Sequence, residues 1–176
     1  MHFPSASKER PTSDFLRETL FNILGSLEDK KFLDIFAGSG SVGLEAASRE
    51  AREVCFIEKS KELAAVIKKN IPQCCGDENF CIMASDIENA LRNLFKRNIR
   101  FDIIFADPPY NRGLTQMTIE LLEKYPVMDE EGVIVIQHSV KERFADGEAN
   151  HIVMTKQRTY GENVLTFFKW RKKDAG

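Results

Sequence analysis

Two apolar patterns alternate along the chain. Leu16, Leu20, Ile23, Leu24 and Leu27 recur at the spacing of one helical face. Thr12-Ser13-Asp14 offers N-cap side chains ahead of them, and Gly25 marks the stop. Residues 31–36 form instead a short apolar run, broken by Ala37-Gly38-Ser39-Gly40, after which 43–48 return to a helical pattern. The alternation then repeats: strand 53–58, helix 60–70, strand 80–84, helix 87–96, strand 101–106, a helix near 116–124, strand 132–137. Strands alternating with helices predict βαβ units and a parallel sheet. The unbroken Ile103-Ile104-Phe105-Ala106 suits a strand covered on both faces. Beyond Gln137 two strand-like runs, 150–158 and 163–170, meet through Thr159-Tyr160-Gly161-Glu162, which predicts a terminal hairpin. The expected fold is α/β, a mostly parallel, doubly wound sheet of seven strands ending in an antiparallel β-hairpin. Residues 1–12 lack periodicity and read as a tail.

Length and composition narrow the class. The chain has 176 residues, 43% hydrophobic and 30% charged, which suits one globular domain and excludes a disordered or fibrous chain. Its longest apolar stretches fall far below the roughly 20 residues of a membrane span. The opening Met1-His2-Phe3-Pro4-Ser5 lacks a basic region followed by an apolar run, so a cytoplasmic protein without membrane partners is expected. With 25 Lys+Arg against 27 Asp+Glu the net charge is −2, so any contact with nucleic acid must come from a local patch. Lys96-Arg97 with Arg100, and Lys169 with Arg171-Lys172-Lys173, are the basic stretches; solvated surface lysines are their plain alternative. Cys55, Cys74, Cys75 and Cys81 form no C-x-x-C pair, and His2, His138 and His151 stand away from them. No metal is expected, only reduced and mostly buried thiols.

In such a sheet, ligands bind beyond the carboxyl ends of the strands. The first strand leads into Gly38, Gly40 and Gly43, spaced as G-x-G-x-x-G at the opening of a helix. Glu58 follows the second strand 18 residues beyond Gly40, where an acid accepts ribose hydroxyls. A nicotinamide cofactor and S-adenosylmethionine both carry such a ribose. A second carboxylate, Asp34, suits a cationic amino group better than a pyrophosphate. Asp86, after the third strand, either accepts from an adenine amino group or caps the next helix. The fourth strand ends in Asp107-Pro108-Pro109-Tyr110. The prolines fix φ and remove two donors, leaving the Asp107 carboxylate and the Asp107 and Pro108 carbonyls as acceptors. With a flat ring beside them, these acceptors suit an exocyclic amino group on a planar base. Accepting its N–H bonds aims the nitrogen lone pair at a methyl donor and stabilises the charge that develops.

The residues 34–40 together with Asp107-Pro108-Pro109-Tyr110 resemble class I S-adenosylmethionine-dependent amino methyltransferases. Arg10-Pro11-Thr12-Ser13-Asp14, Arg17-Glu18, Leu20-Phe21-Asn22-Ile23-Leu24, Gly43-Leu44-Glu45-Ala46 and Tyr160-Gly161 resemble, more narrowly, the RsmD family. The similarity runs from about Arg10 to Trp170. It implies a Rossmann-like domain over residues 10–176 that methylates a guanine N2 amino group in 16S small-subunit ribosomal RNA, as free RNA or in an assembly particle. It implies a cofactor site of Asp34, Phe36, Ala37, Gly38, Ser39, Gly40, Glu58, Lys59, Asp86 and Ile87. Asp107, Pro108, Pro109 and Tyr110 would be catalytic, and Arg10, Thr12, Arg17 and Tyr160 would bind substrate. Family members carry a basic, glycine-containing β segment before Arg-Pro-Thr; here residues 1–9 form a tail in which Lys8 is the sole Lys or Arg. A DNA adenine-N6 methyltransferase shares the tetrapeptide, but no stretch here is long enough for a target-recognition insert. A nicotinamide oxidoreductase would need a substrate domain, and a non-catalytic RNA-binding or assembly module would not need Asp107 and Tyr110. His138, after the fifth predicted sheet strand, reads as a packed or surface histidine rather than a catalytic one.

Overall fold

The computed structural model describes residues 11–74, 79–110, 112–144 and 151–172, with only the backbone at 11–13 and 74. The chain divides into two compact units, Met1–Asp86 and Ile87–Gly176.

The first unit opens with α1 (Pro11–Leu24), which starts earlier than the Thr12-Ser13-Asp14 cap predicts. Proline pre-sets helical φ and needs no N–H in the first turn, so it can lead the helix. Pro11 and Thr12, expected in the tail, thus belong to the helix, and the rest of the expected tail lies outside the described residues. Leu16, Leu20 and Phe21 are buried, and Gly25, at φ 74°, donates its N–H to the Phe21 carbonyl at 3.0 Å and ends the helix. Three parallel strands follow in the order β3-β2-β1: β1 (Lys31–Ile35), β2 (Glu53–Ile57) and β3 (Phe80–Met83). The connecting helices are α2 (Ser41–Ser48) and α3 (Lys61–Cys74). Phe32, Leu33, Ile35 and all of 54–57 are buried, as continuous apolar runs demand of strands covered on both faces.

The second unit contains α4 (Ile87–Lys96), β4 (Phe101–Ala106), α5 (Leu114–Lys124), β5 (Met128–Ser139), β6 (Ile152–Tyr160) and β7 (Asn163–Trp170). Its strands run β4-β5-β7-β6, with β4 and β5 parallel and the last two antiparallel. β5 begins four residues before its predicted start at Gly132. Its pairing with β4 jumps from Phe101↔Met128 to Ile103↔Val133, so Asp129-Glu130-Glu131 bulge out and hide the strand from an apolar scan. The hairpin turn is tighter than predicted. Thr159 and Tyr160 stay in the ladder, leaving Gly161-Glu162 as the connection, with Gly161 at φ 61°. Among the described residues no helix is long and apolar enough to cross a membrane.

Candidate active site

In the first unit the chain leaves β1 through alternating left-handed residues: Phe36 at φ 59°, Gly38 at 58° and Gly40 at 84°. Phe36 is the unusual member, since a bulky side chain at positive φ is strained by about 1–3 kcal/mol. The Ala37 N–H donates to the Ile57 carbonyl at 3.1 Å, and the Gly40 N–H to the Ala37 carbonyl at 2.8 Å, which closes the loop. Asp34 is 2% exposed, and its Oδ2 accepts the Gly43 N–H at 2.9 Å in the first turn of α2. Its carboxylate thus fixes the loop to a helix N-terminus, whose field favours a negative charge. A Cβ on Gly43 would lie 2.3 Å from the Phe56 ring. The third glycine is therefore a packing requirement between α2 and β2.

Glu58, just beyond β2, returns over this loop. Its Oε2 accepts the Gly38 N–H at 2.7 Å and its Oε1 the Ser60 N–H at 2.8 Å. A carboxylate offers about four lone-pair sites, so each oxygen, half-buried beside a glycine turn, keeps capacity for a ribose hydroxyl. A Cβ on Gly38 would meet nothing within 4 Å, so the backbone there faces open space. This loop fits a nucleoside: carboxylate acceptors at one side and bare backbone at the other. Ala37 and Ser39 are half-buried in it, and Lys59 is exposed at its rim. Asp86 ends the unit, half-buried, with its carbonyl accepting from the Ser85 hydroxyl at 3.2 Å; Ile87 is buried as the first residue of α4.

Of the expected substrate residues, Arg10 and the Thr12 side chain lie outside the described residues. Arg17 is tied within the unit, to Glu45 at 2.6 Å and Asp14 at 2.9 Å. It joins α1 to α2, and Glu45 continues the chain to Arg49, whose guanidinium lies over the Phe21 ring.

In the second unit β4 is buried to Ala106 and then turns outward. Pro108 is buried, Asp107 and Pro109 reach the surface, and Tyr110 is 38% exposed. The Tyr110 hydroxyl donates to Asn163 Oδ1 at 2.6 Å, which ties the ring to the first residue of β7. Desolvation by surrounding protein and, to a lesser degree, the negative charge of Glu142 push the Asp107 carboxyl up to about 7. Part of Asp107 still meets solvent, and water there opposes the rise. Glu142 itself is fixed: Oε2 accepts the Ser139 N–H at 3.1 Å and Oε1 the Thr115 hydroxyl at 3.0 Å. Tyr160, half-buried, closes β6 opposite Asn163.

His138 is the packed residue the sequence suggests. It is buried, with Nδ1 2.9 Å from the Ser139 carbonyl and Nε2 2.7 Å from Thr166 Oγ1. A carbonyl only accepts, so the proton sits on Nδ1 and the threonine donates to Nε2. Burial holds its pKa below the ordinary histidine value. Cys55 is buried and Cys81 half-buried, while Cys75 and the Cys74 side chain lie outside the described residues. Sequence reasoning missed Asn163 and Glu142. Asn163 follows a two-residue turn, a weak cue; Glu142 carries none.

A family model described as Conserved hypothetical protein 95 matches residues 1–169. The chain belongs to this family. The family is the RsmD family that the Arg10–Leu24 segment and the acceptor tetrapeptide resemble. Ribosomal RNA small subunit methyltransferase D of Escherichia coli K12 is 36% identical over 148 residues, covering 84% of this chain and 73% of that protein. Its namesake from Buchnera aphidicola of Acyrthosiphon pisum is 38% identical over 141 residues, covering 80% and 72%. A solved hypothetical protein of Thermus thermophilus matches with a TM-score of 0.78 at 29% identity, covering 96% of this chain and 92% of that one. The fold is the class I methyltransferase type, a mostly parallel seven-stranded α/β sheet with a C-terminal antiparallel hairpin.

Proposed function

We propose that the chain transfers a methyl group from S-adenosylmethionine to the exocyclic N2 amino group of a guanine in small-subunit ribosomal RNA, in the cytoplasm, with residues 10–176 acting as one methyltransferase domain. The observation that carries this reading is the acceptor corner, an outward carboxylate and a half-exposed ring flanking two prolines, in a family whose members bear ribosomal RNA methyltransferase names. The glycine loop with Glu58 and Asp34 supplies the nucleoside half. Bound there, S-adenosylmethionine supplies a methyl on a sulfonium sulfur, which keeps the C–S electron pair as the N–C bond forms. Glu58 would accept the ribose hydroxyls beside the open backbone at Gly38. In the second unit Tyr110 stacks on the base while the Asp107 carboxylate and the Pro108 carbonyl accept the two N–H bonds. The nitrogen lone pair then points along the line of attack, and the positive charge that grows on nitrogen meets a negative oxygen. After transfer, the nitrogen releases one proton to Asp107, whose raised affinity suits it to hold that proton before water removes it.

Incubating the protein with labelled cofactor and unmodified small-subunit ribosomal RNA, bare and in particles, tests the reading. Label in N2-methylguanine is expected, and label in adenine of DNA would overturn it.

A further inference from the structure

An RNA enzyme with a net charge of −2 needs a local place to meet phosphates, and the second unit offers one. Pairing fixes its edge: Ala106 lies against Ile136, Gln137 against Leu165, and Leu165 against Arg158. The exits of β4 and β5 and the β6–β7 turn therefore share one edge, where the Tyr110–Asn163 bond also sits. The sequence delivers four cations there. Arg112 stands two residues past Tyr110, Lys141 and Arg143 follow β5, and Arg158 precedes the hairpin turn. All four are exposed, and among the described residues their charged groups meet no partner. Glu142 is bonded to Ser139 and Thr115, and Asp107 itself and Glu162 are exposed carboxylates of this edge.

The basic stretches visible in the sequence lie elsewhere, in mixed charge. Arg100 donates to the Pro126 carbonyl at 3.1 Å and shares a recess of about 570 Å³ with Asp102, Asp129, Glu130, Glu131 and Trp170. Lys124 and Arg92 converge on Glu88. Carboxylates there offset the field a phosphate would feel. At the Asp107 edge the four cations outnumber the exposed carboxylates Asp107 and Glu162, and unpaired like charges on one edge reinforce one another.

We propose that Arg112, Lys141, Arg143 and Arg158 form a rim that grips the phosphates flanking the target nucleotide and so holds its base over Asp107 and Tyr110. This rests on the reading of the chain as an RNA amino methyltransferase. Phosphate contacts set position without reading sequence, and the acceptor corner then selects the amine.

The test compares the intact chain with a rim variant (Arg112→Ala, Lys141→Ala, Arg143→Ala, Arg158→Ala) and a control (Lys96→Ala, Arg97→Ala, Lys172→Ala). Affinity for unmodified small-subunit ribosomal RNA is measured across a salt series, beside KM and kcat for methylation. Each lost single-strand contact is expected to flatten the log affinity against log salt plot by about 0.7, and the rim variant to bind roughly a hundredfold more weakly. KM for RNA rises accordingly, kcat at saturating RNA stays near that of the intact chain, and the control matches the intact chain. If the fourfold variant does not fold, the four single variants decide, each flattening the slope by about 0.7. An intact chain that methylates RNA beside a rim variant with unchanged slope and KM overturns the rim alone. An intact chain that neither binds nor methylates ribosomal RNA overturns the functional reading, and the rim with it.

Discussion

Under the proposed function, Asp107 is where chemistry and stability pull in opposite directions. Only its ionised form accepts both an N–H bond and the departing proton, yet desolvation and Glu142 raise the carboxyl to about 7. A raised value means that the folded chain holds this proton more tightly than the unfolded chain does. Stability from Asp107 is thus fully present below the ordinary aspartate range and is lost as pH rises through about 7. Asp107→Asn removes the ionisation. Relative to the parent it should melt higher at pH 8 and show no such gain near pH 4, while methyl transfer is lost; melting curves at both pH values check the first part. For the parent, kcat/KM should fall as pH drops below about 7, because that ratio follows ionisation of the free protein. Asp107 and Tyr110 are legible in the sequence because their acceptors, prolines and ring are contiguous. The residues that tune them are not. Asn163 reaches Tyr110 across 53 positions and Glu142 arrives from the far end of β5, so only the folded register reveals either.

The turn from β1 into α2 shows how one missing methyl group can hold two elements together. Gly43 sits where a Cβ would come within 2.3 Å of the Phe56 ring, and its N–H is the donor to buried Asp34. Gly43→Ala should cost about 1–3 kcal/mol by overpacking and weaken cofactor binding as α2 moves off the loop. Adding Phe56→Leu opens space at the clash, so the double variant should be more stable than the two separate losses add up to. Denaturant titrations of the four proteins give that coupling, and strict additivity would remove the clash as the cause. The G-x-G-x-x-G spacing announced this element, as the continuous apolar runs announced β1, β2 and β4. Where the pattern failed, the backbone explains it. Pro11 stands in the first turn of α1, and the start of β5 is masked by a bulge of three acidic residues, with Gly132 packed too close to Met128 for any side chain.

At the scale of the whole molecule the proposed function gives the two units different halves of the reaction, and that division is measurable. A ligand that binds the folded chain alone adds RT ln(1 + [L]/Kd), about 2.7 kcal/mol at a hundredfold excess over Kd. For a chain of this length that is a rise in Tm of roughly 5–10 °C. S-adenosylhomocysteine should produce this rise and NAD should not, because both ligands offer Glu58 a ribose while the Asp34 carboxylate favours a cationic amino group over a pyrophosphate. Within the first unit, Glu58→Gln should shrink the shift. Its amide can still bond to a hydroxyl, but it replaces one acceptor oxygen with a donor, and that donor faces the N–H of either Gly38 or Ser60. Within the second unit, Asp107→Asn should leave the shift whole, since the proposed function gives the acceptor corner to the amine rather than to the cofactor. Thermal melts with and without ligand separate these outcomes. Equal loss of the shift in both variants would mean that nucleoside and amine are not held by separate residues, and the division of labour between the glycine loop and the acceptor corner would fall.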